Sequence, residues 1–198
     1  MPKKSVSEER KSQIMESLYK CLLKKQYHEI TLTDIAATAG VNQGMIYYLY
    51  KKKEEVLLHF IDFIEERYRR DFSEYMNKEE IRSLKGKALI GHAMSFSNDR
   101  ITVNRDLSKI FIEIWGIANH NKKVRKKMRH LYEQWISHVK GIIIKTGVSD
   151  EKAEGISNAM VSFYEGSSLI SIILDWKGEQ IKITLNDFQN RIMEMIDE

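Results

Sequence analysis

Gln43, Met45 and Tyr47 lie near the start of a short helical pattern, the end that in DNA-reading helices usually meets base edges of the major groove. Around them Thr31, Thr33, Tyr48 and Lys53 supply hydroxyl and ammonium groups suited to phosphate oxygens. Gly44 has two readings: a missing side chain that lets the backbone approach a DNA strand, or an ordinary glycine at a helix start. The chemistry on offer is recognition of a duplex, with no bond made or broken.

These residues need two short helices and a tight corner to hold them. Thr31 followed three residues later by Asp34 is the signature of a capping box, with the acid at the positive end of the helix. Ile35, Ala36 and Ala39 fall on one narrow face, and the alanines let a second helix approach closely. Gly40 accepts the left-handed conformation that ends a helix, Val41 follows as an apolar plug, and Asn42 can cap the next helix. In that second helix Ile46, Leu49 and Tyr50 share the inward side. Ahead of the pair, a helix over about 7–24 carries the stripe Ile14, Leu18, Cys21 and Leu22, with Ser5 and Glu8 as a possible capping box. Residues 1–53 hold ten Lys/Arg against five acids, so the basic surplus sits beside the reading helix and favours a polyanionic partner.

The stretch 31–53 resembles the N-terminal domain of TetR-family transcriptional regulators. The residues that carry the likeness are Thr31, Asp34, Ile35-Ala36, Ala39-Gly40-Val41, Gly44, Tyr47, Tyr50 and Lys53. Leu49 departs from the pattern, standing where the family often has His or another polar residue that touches phosphate. The resemblance implies an all-α fold. A three-helix helix-turn-helix DNA-binding domain occupies 1–53, and a larger helical ligand-binding and dimerisation domain occupies 54–198.

Composition agrees with that division. The chain of 198 residues is 42% hydrophobic, enough for one sizeable core and a satellite domain, and its one proline is Pro2. The single cysteine, Cys21, reads as a small buried residue, and the start of the chain lacks the apolar core of a secretory signal. No apolar run approaches a membrane span, so no membrane partner is expected and a cytoplasmic location is. Catalysis, a metal centre and a cofactor are not expected: there is no glycine-rich phosphate loop, no H-E-x-x-H, no Cys-x-x-Cys, and the six histidines lack ligand spacing.

From Lys53 an unbroken helical pattern runs through about Met76, a lever between the reader and the rest. Further helices are predicted over about 80–97, 103–118, 122–146, 150–174 and 185–196, with turns at 98–102, 119–121, 147–149 and 177–184, the last briefly alternating as a strand would. KKVRKK at 122–127 reads as solvated surface. Aromatics on the middle helices can line an apolar cleft for a small effector of unknown identity: Phe96, Phe111, Trp115, Trp135 and Phe163, besides Tyr132 and Tyr164. Glu113, set among large apolar neighbours, is either solvated, paired, or kept for a cationic ligand. The 105–175 segment loosely resembles the choline-repressor-like branch of the family.

The last two helices carry apolar and small residues: Ile156, Met160, Phe163, Ser167 and Ile170 on one, Phe188 and Ile192 on the other. They either complete a monomer core or form a two-fold, four-helix interface. The family resemblance implies the interface, since its members dimerise through these helices. A homodimer would place two reading helices on a palindromic double-stranded operator. Against a DNA-binding architectural protein and an enzyme, the reading is a ligand-released dimeric regulator, a repressor in the family's usual manner. The size of 54–198 argues for sensing.

Overall fold

A computed structural model describes residues 6–99 and 104–197, all in helices and short turns, with no strand among the described residues. The helices are α1 (Val6–Leu22), α2 (Leu32–Ala39), α3 (Gln43–Leu49), α4 (Lys53–Met76), α5 (Glu79–Arg82), α6 (Gly86–Ser97), α7 (Arg105–His120), α8 (Lys122–Ile143), α9 (Asp150–Ile173) and α10 (Gly178–Asp197). Ser5 and part of the expected 98–102 turn lie outside the described residues.

Two compact units divide the chain, one of Met1–Tyr68 with Ile110–Met128, the other of Arg69–Lys109 with Arg129–Glu198. The unit that holds the helix-turn-helix thus extends past Lys53, taking in the first part of α4 and a segment of α7 and α8. Its core includes Ile14, Met15, Leu18, Ile35, Ile46, Leu57 and Phe60, each almost wholly buried. Cys21 is buried too, its sulfur 3.4 Å from the Thr38 hydroxyl.

In the second unit Ile90 and Met94 of α6, Ala153, Ile156, Met160 and Tyr164 of α9, and Ile181, Leu185 and Ile192 of α10 form one apolar cluster. The α9 members recur every three or four residues, the period of one helix face. α10 begins at Gly178, where the sequence suggested a turn as far as 184. Ile181 and Leu185 are one turn apart and both buried, and that gain outweighs the local alternation of QIKIT. The 80–97 pattern breaks instead into α5 and α6: the chain leaves the helix at 83–85, with Lys85 extended, and re-enters it at Gly86, which takes φ +57°.

The end of α9 has its own stop. Asp175 adopts φ 49°, the Trp176 N–H donates to the Ser171 carbonyl at 3.0 Å, and the Asp175 N–H reaches Ile172, the pattern that satisfies orphan carbonyls at a helix end. Arg105 secures this corner, donating to the Asp175 carboxylate at 3.1 Å and to the Trp176 carbonyl at 3.3 Å.

Candidate nucleic-acid interface

The corner between α2 and α3 forms as its residues require. The Asp34 N–H donates to the Thr31 hydroxyl oxygen at 3.0 Å, and the Thr31 N–H and hydroxyl donate back to the Asp34 carboxylate at 2.8 and 2.6 Å. The hydrogen bonds from Thr31 hold the Asp34 carboxyl down at about 2, with Lys25 adding to them. Gly40 takes φ +63°, and the Val41 N–H closes on the Ala36 carbonyl at 3.1 Å. From α1, the Gln13 amide reaches the Ala39 carbonyl at 2.6 Å and satisfies another acceptor at that helix end.

Asn42 caps α3, accepting the Gly44 N–H at 2.7 Å. A Cβ on residue 44 would stand 3.2 Å from the Asn42 cap oxygen, so the glycine has a structural reason of its own. Ile46 and Tyr50 are buried and Leu49 half-buried, while Tyr48 is 80% exposed and Met45 and Tyr47 are exposed beside it. Gln43 is exposed and its amide donates to the Thr33 hydroxyl at 2.7 Å, tying the start of α3 to α2. Gln43, Gly44, Met45, Tyr47 and Tyr48 therefore share one open face with Thr33.

Two residues expected at phosphate are occupied. The Thr31 hydroxyl is spent on the Asp34 cap. The Lys53 ammonium turns inward, donating to the carbonyls of Tyr27 and Ile30 at 2.7 Å each and to His28 at 3.3 Å, and it lies 4.3 Å from the centre of the Tyr27 ring. Burial lowers the Lys53 pKa from its usual value, with Asp34 opposing. Lys51 and Lys52, next to it, are exposed. Their signal was the KKK run itself, and a three-lysine run does not say which member turns in.

The segment 110–128 braces this reader within the same unit. Glu113 accepts the Tyr27 N–H at 2.8 Å, so its carboxylate is paired with backbone. Glu54, at the start of α4, accepts from Asn121 at 2.6 Å and from Lys123 at 2.8 Å, and those hydrogen bonds lower its pKa. Lys127 pairs with Asp62, and Arg125 donates to the Ala118 carbonyl at 3.0 Å. Three residues of the KKVRKK run, read as solvated surface, thus make specific contacts.

The six expected effector residues separate. Phe111, Glu113 and Trp115 belong to the reader's unit and Phe96, Trp135 and Phe163 to the other. Within that second unit Phe96 packs on Phe72 and Tyr75, Trp135 meets the Tyr132 ring edge-on, and Phe163 stacks on Phe188 with centroids 3.7 Å apart. A carboxylate the sequence reading passed over is Glu165. It is half-buried as a residue with its carboxyl well inside, accepts the Tyr132 hydroxyl at 3.1 Å, and is pushed up to about 7 by burial, the Tyr132 bond opposing.

Of the residues assigned to a subunit interface, Ile156, Met160 and Ile192 are spent in the protomer's own core, Ser167 is also buried, and Phe163 and Phe188 are half-buried against each other. Their periodicity marked an inward face, which a monomer core and a dimer seam share. Only Ile170 of that set is exposed. With it stand Ile173 (71% exposed), Leu174, Ile183 and Met195.

A helix-turn-helix with an open reading face, followed by helices that brace it, defines a DNA-binding transcriptional regulator. Residues 14–60 match the family model described as bacterial regulatory proteins, tetR family, and residues 103–175 match the one described as transcriptional regulator LmrA/YxaF-like, C-terminal domain. The chain belongs to the TetR family of transcriptional regulators and is not an enzyme. Where the sequence loosely resembled choline repressors, the regulatory segment is described by the LmrA/YxaF-like model. A fatty acid metabolism regulator protein of Bacillus subtilis (strain 168) is 23% identical over 186 residues, covering 93% of this chain and 92% of that one. The fold is similar to a TetR transcription regulator from Haloarcula marismortui, with TM-score 0.79, 20% identity, and coverage of 94% of this chain and 97% of that one. It is also similar to a transcriptional regulator from Saccharomonospora viridis in complex with choline, with TM-score 0.73, 18% identity, and coverage of 92% and 95%.

Proposed function

We propose that the protein is a repressor that binds a palindromic operator as a homodimer in the cytoplasm and leaves it when a small effector binds. The observation that carries this reading is the open face of α3, with Met45, Tyr47 and Tyr48 exposed beside Lys51 and Lys52. The bracing contacts supply a route for release. Glu113 on α7 and Asn121 and Lys123 beyond it grip Tyr27 and Glu54, so a shift of α7 would move the supports of the reader. A ligand does this only by binding the two arrangements unequally, and a coupling of about 1–3 kcal/mol gives roughly 5- to 150-fold release.

The name of the Bacillus subtilis relative favours an effector drawn from fatty acid metabolism. Selection of bound sites from a random duplex pool tests the DNA half of the reading. Inverted repeats with half-sites about one helical turn, roughly 34–36 Å, or a multiple apart are expected; reads without symmetry would overturn the dimeric operator.

A further inference from the structure

A cleft of about 500 Å³ opens in the second unit between the end of α4, the α5–α6 corner and the end of α8. That size falls within the roughly 300–1,000 Å³ typical of small-ligand sites. Phe72, Met76, Leu84, Leu89 and Ile142 line it, none of them fully buried, so they leave apolar surface facing the cavity. Arg82, Lys85 and Lys145 complete the lining. All three are exposed, no acidic side chain joins them, and none makes an ion pair among the described residues, although Glu79 and Glu80 precede Arg82 on α5. Residues 83–85 separate α5 from α6 there, and Gly86, which opens α6 with a left-handed φ of +57°, also lines the cleft.

An apolar wall with three cations has one chemical complement. We propose that this cleft binds a long-chain amphipathic anion, its alkyl chain against Phe72, Met76, Leu89 and Ile142 and its anionic head between Arg82, Lys85 and Lys145. A neutral ligand would leave three guanidinium and ammonium groups without use, and a small hydrophilic anion would leave the apolar wall wet. The inference rests on the reading of the protein as an effector-controlled regulator and assigns that effector a place and a head-group charge. A free carboxylate and an acyl thioester ending in phosphates share this chemistry.

The test is titration calorimetry of the full chain with dodecanoate and, separately, with dodecanoyl-coenzyme A, below their micellar concentrations. Operator binding without ligand is measured in parallel. Wild type should bind at least one of the two, and the tighter one identifies the source of the head group. The double variant Arg82→Glu/Lys145→Glu should weaken binding by about tenfold or more, because two attractive charges become repulsive. Leu89→Trp, which fills the cleft, should abolish binding while both variants keep the wild-type circular dichroism and operator affinity. Absence of binding by wild type, or unchanged affinity in both variants, would overturn the site. Either result with operator binding intact leaves the regulator reading standing, whereas loss of operator binding in wild type would sink that reading by itself.

Discussion

The ammonium of Lys53 and the carbonyl of Tyr27 are 2.7 Å apart, and the same ammonium lies over the Tyr27 ring. The first residue of α4 is thereby fastened to the loop that feeds α2. Lys53 is thus a strut of the reader, with its ammonium held by three backbone carbonyls.

Lys53→Met should therefore lower the stability of the reader, by about 1–3 kcal/mol for hydrogen bonds to a charged group. DNA affinity should fall with it while the slope of affinity against salt stays as in wild type. Lys52→Ala should do the reverse, leaving urea unfolding unchanged and reducing the salt slope by about 0.9 for a lost phosphate contact. A flattened salt slope in Lys53→Met would return that lysine to the phosphate backbone.

The capping box gives an acid-side signature. With its carboxyl at about 2 in the fold against an ordinary value of 3.8, Asp34 contributes stability that is present above pH 4 and lost as pH falls towards 2. In Asp34→Asn that part of the acid limb should be missing, which urea titrations between pH 2 and 5 will detect. Equal acid slopes in the two proteins would contradict the cap's role.

Glu165 works in the opposite direction. Its folded value of about 7 exceeds the ordinary 4.5, so the protonated form suits the fold, and stability is fully present below 4.5 and declines as pH rises to 7. Glu165→Gln should flatten this decline and melt at a higher temperature than wild type at pH 8. Parallel melting curves from pH 4 to 8 would refute the burial of that carboxyl.

The dimer prediction rests on exposure. Ile173→Glu with Ile183→Glu should convert a dimer to a folded monomer in sedimentation. Ile156→Ala should leave the assembly as it is and cost about 2–5 kcal/mol in unfolding as a core truncation. A dimer that survives the double glutamate would place the interface elsewhere.

The local grammar of the helix-turn-helix was readable residue by residue. Thr31, Asp34, Gly40 and Asn42 act through neighbours within a few positions, so spacing along the chain specifies their partners. Lys53 and Glu113 were not readable this way, since their partners at Tyr27 lie 26 and 86 residues off. Ile156 and Ile192 show the same limit, because helical period reports that a face is covered and is silent on whether the cover is the same chain. α10 was begun seven residues too late for a related reason: Ile181 is fixed in a helix by what it packs against, beyond the reach of a local pattern.

α3 is only seven residues long, too short to persist by its own hydrogen bonds. It exists because Ile46 and Tyr50 are anchored and Asn42 closes its start. The opposite positions, Met45, Tyr47 and Tyr48, lie on the exposed side. Such a helix behaves as a replaceable key blade on a fixed bow: its outer teeth can be recut, and the genes it addresses reassigned, without the molecule having to relearn how to fold.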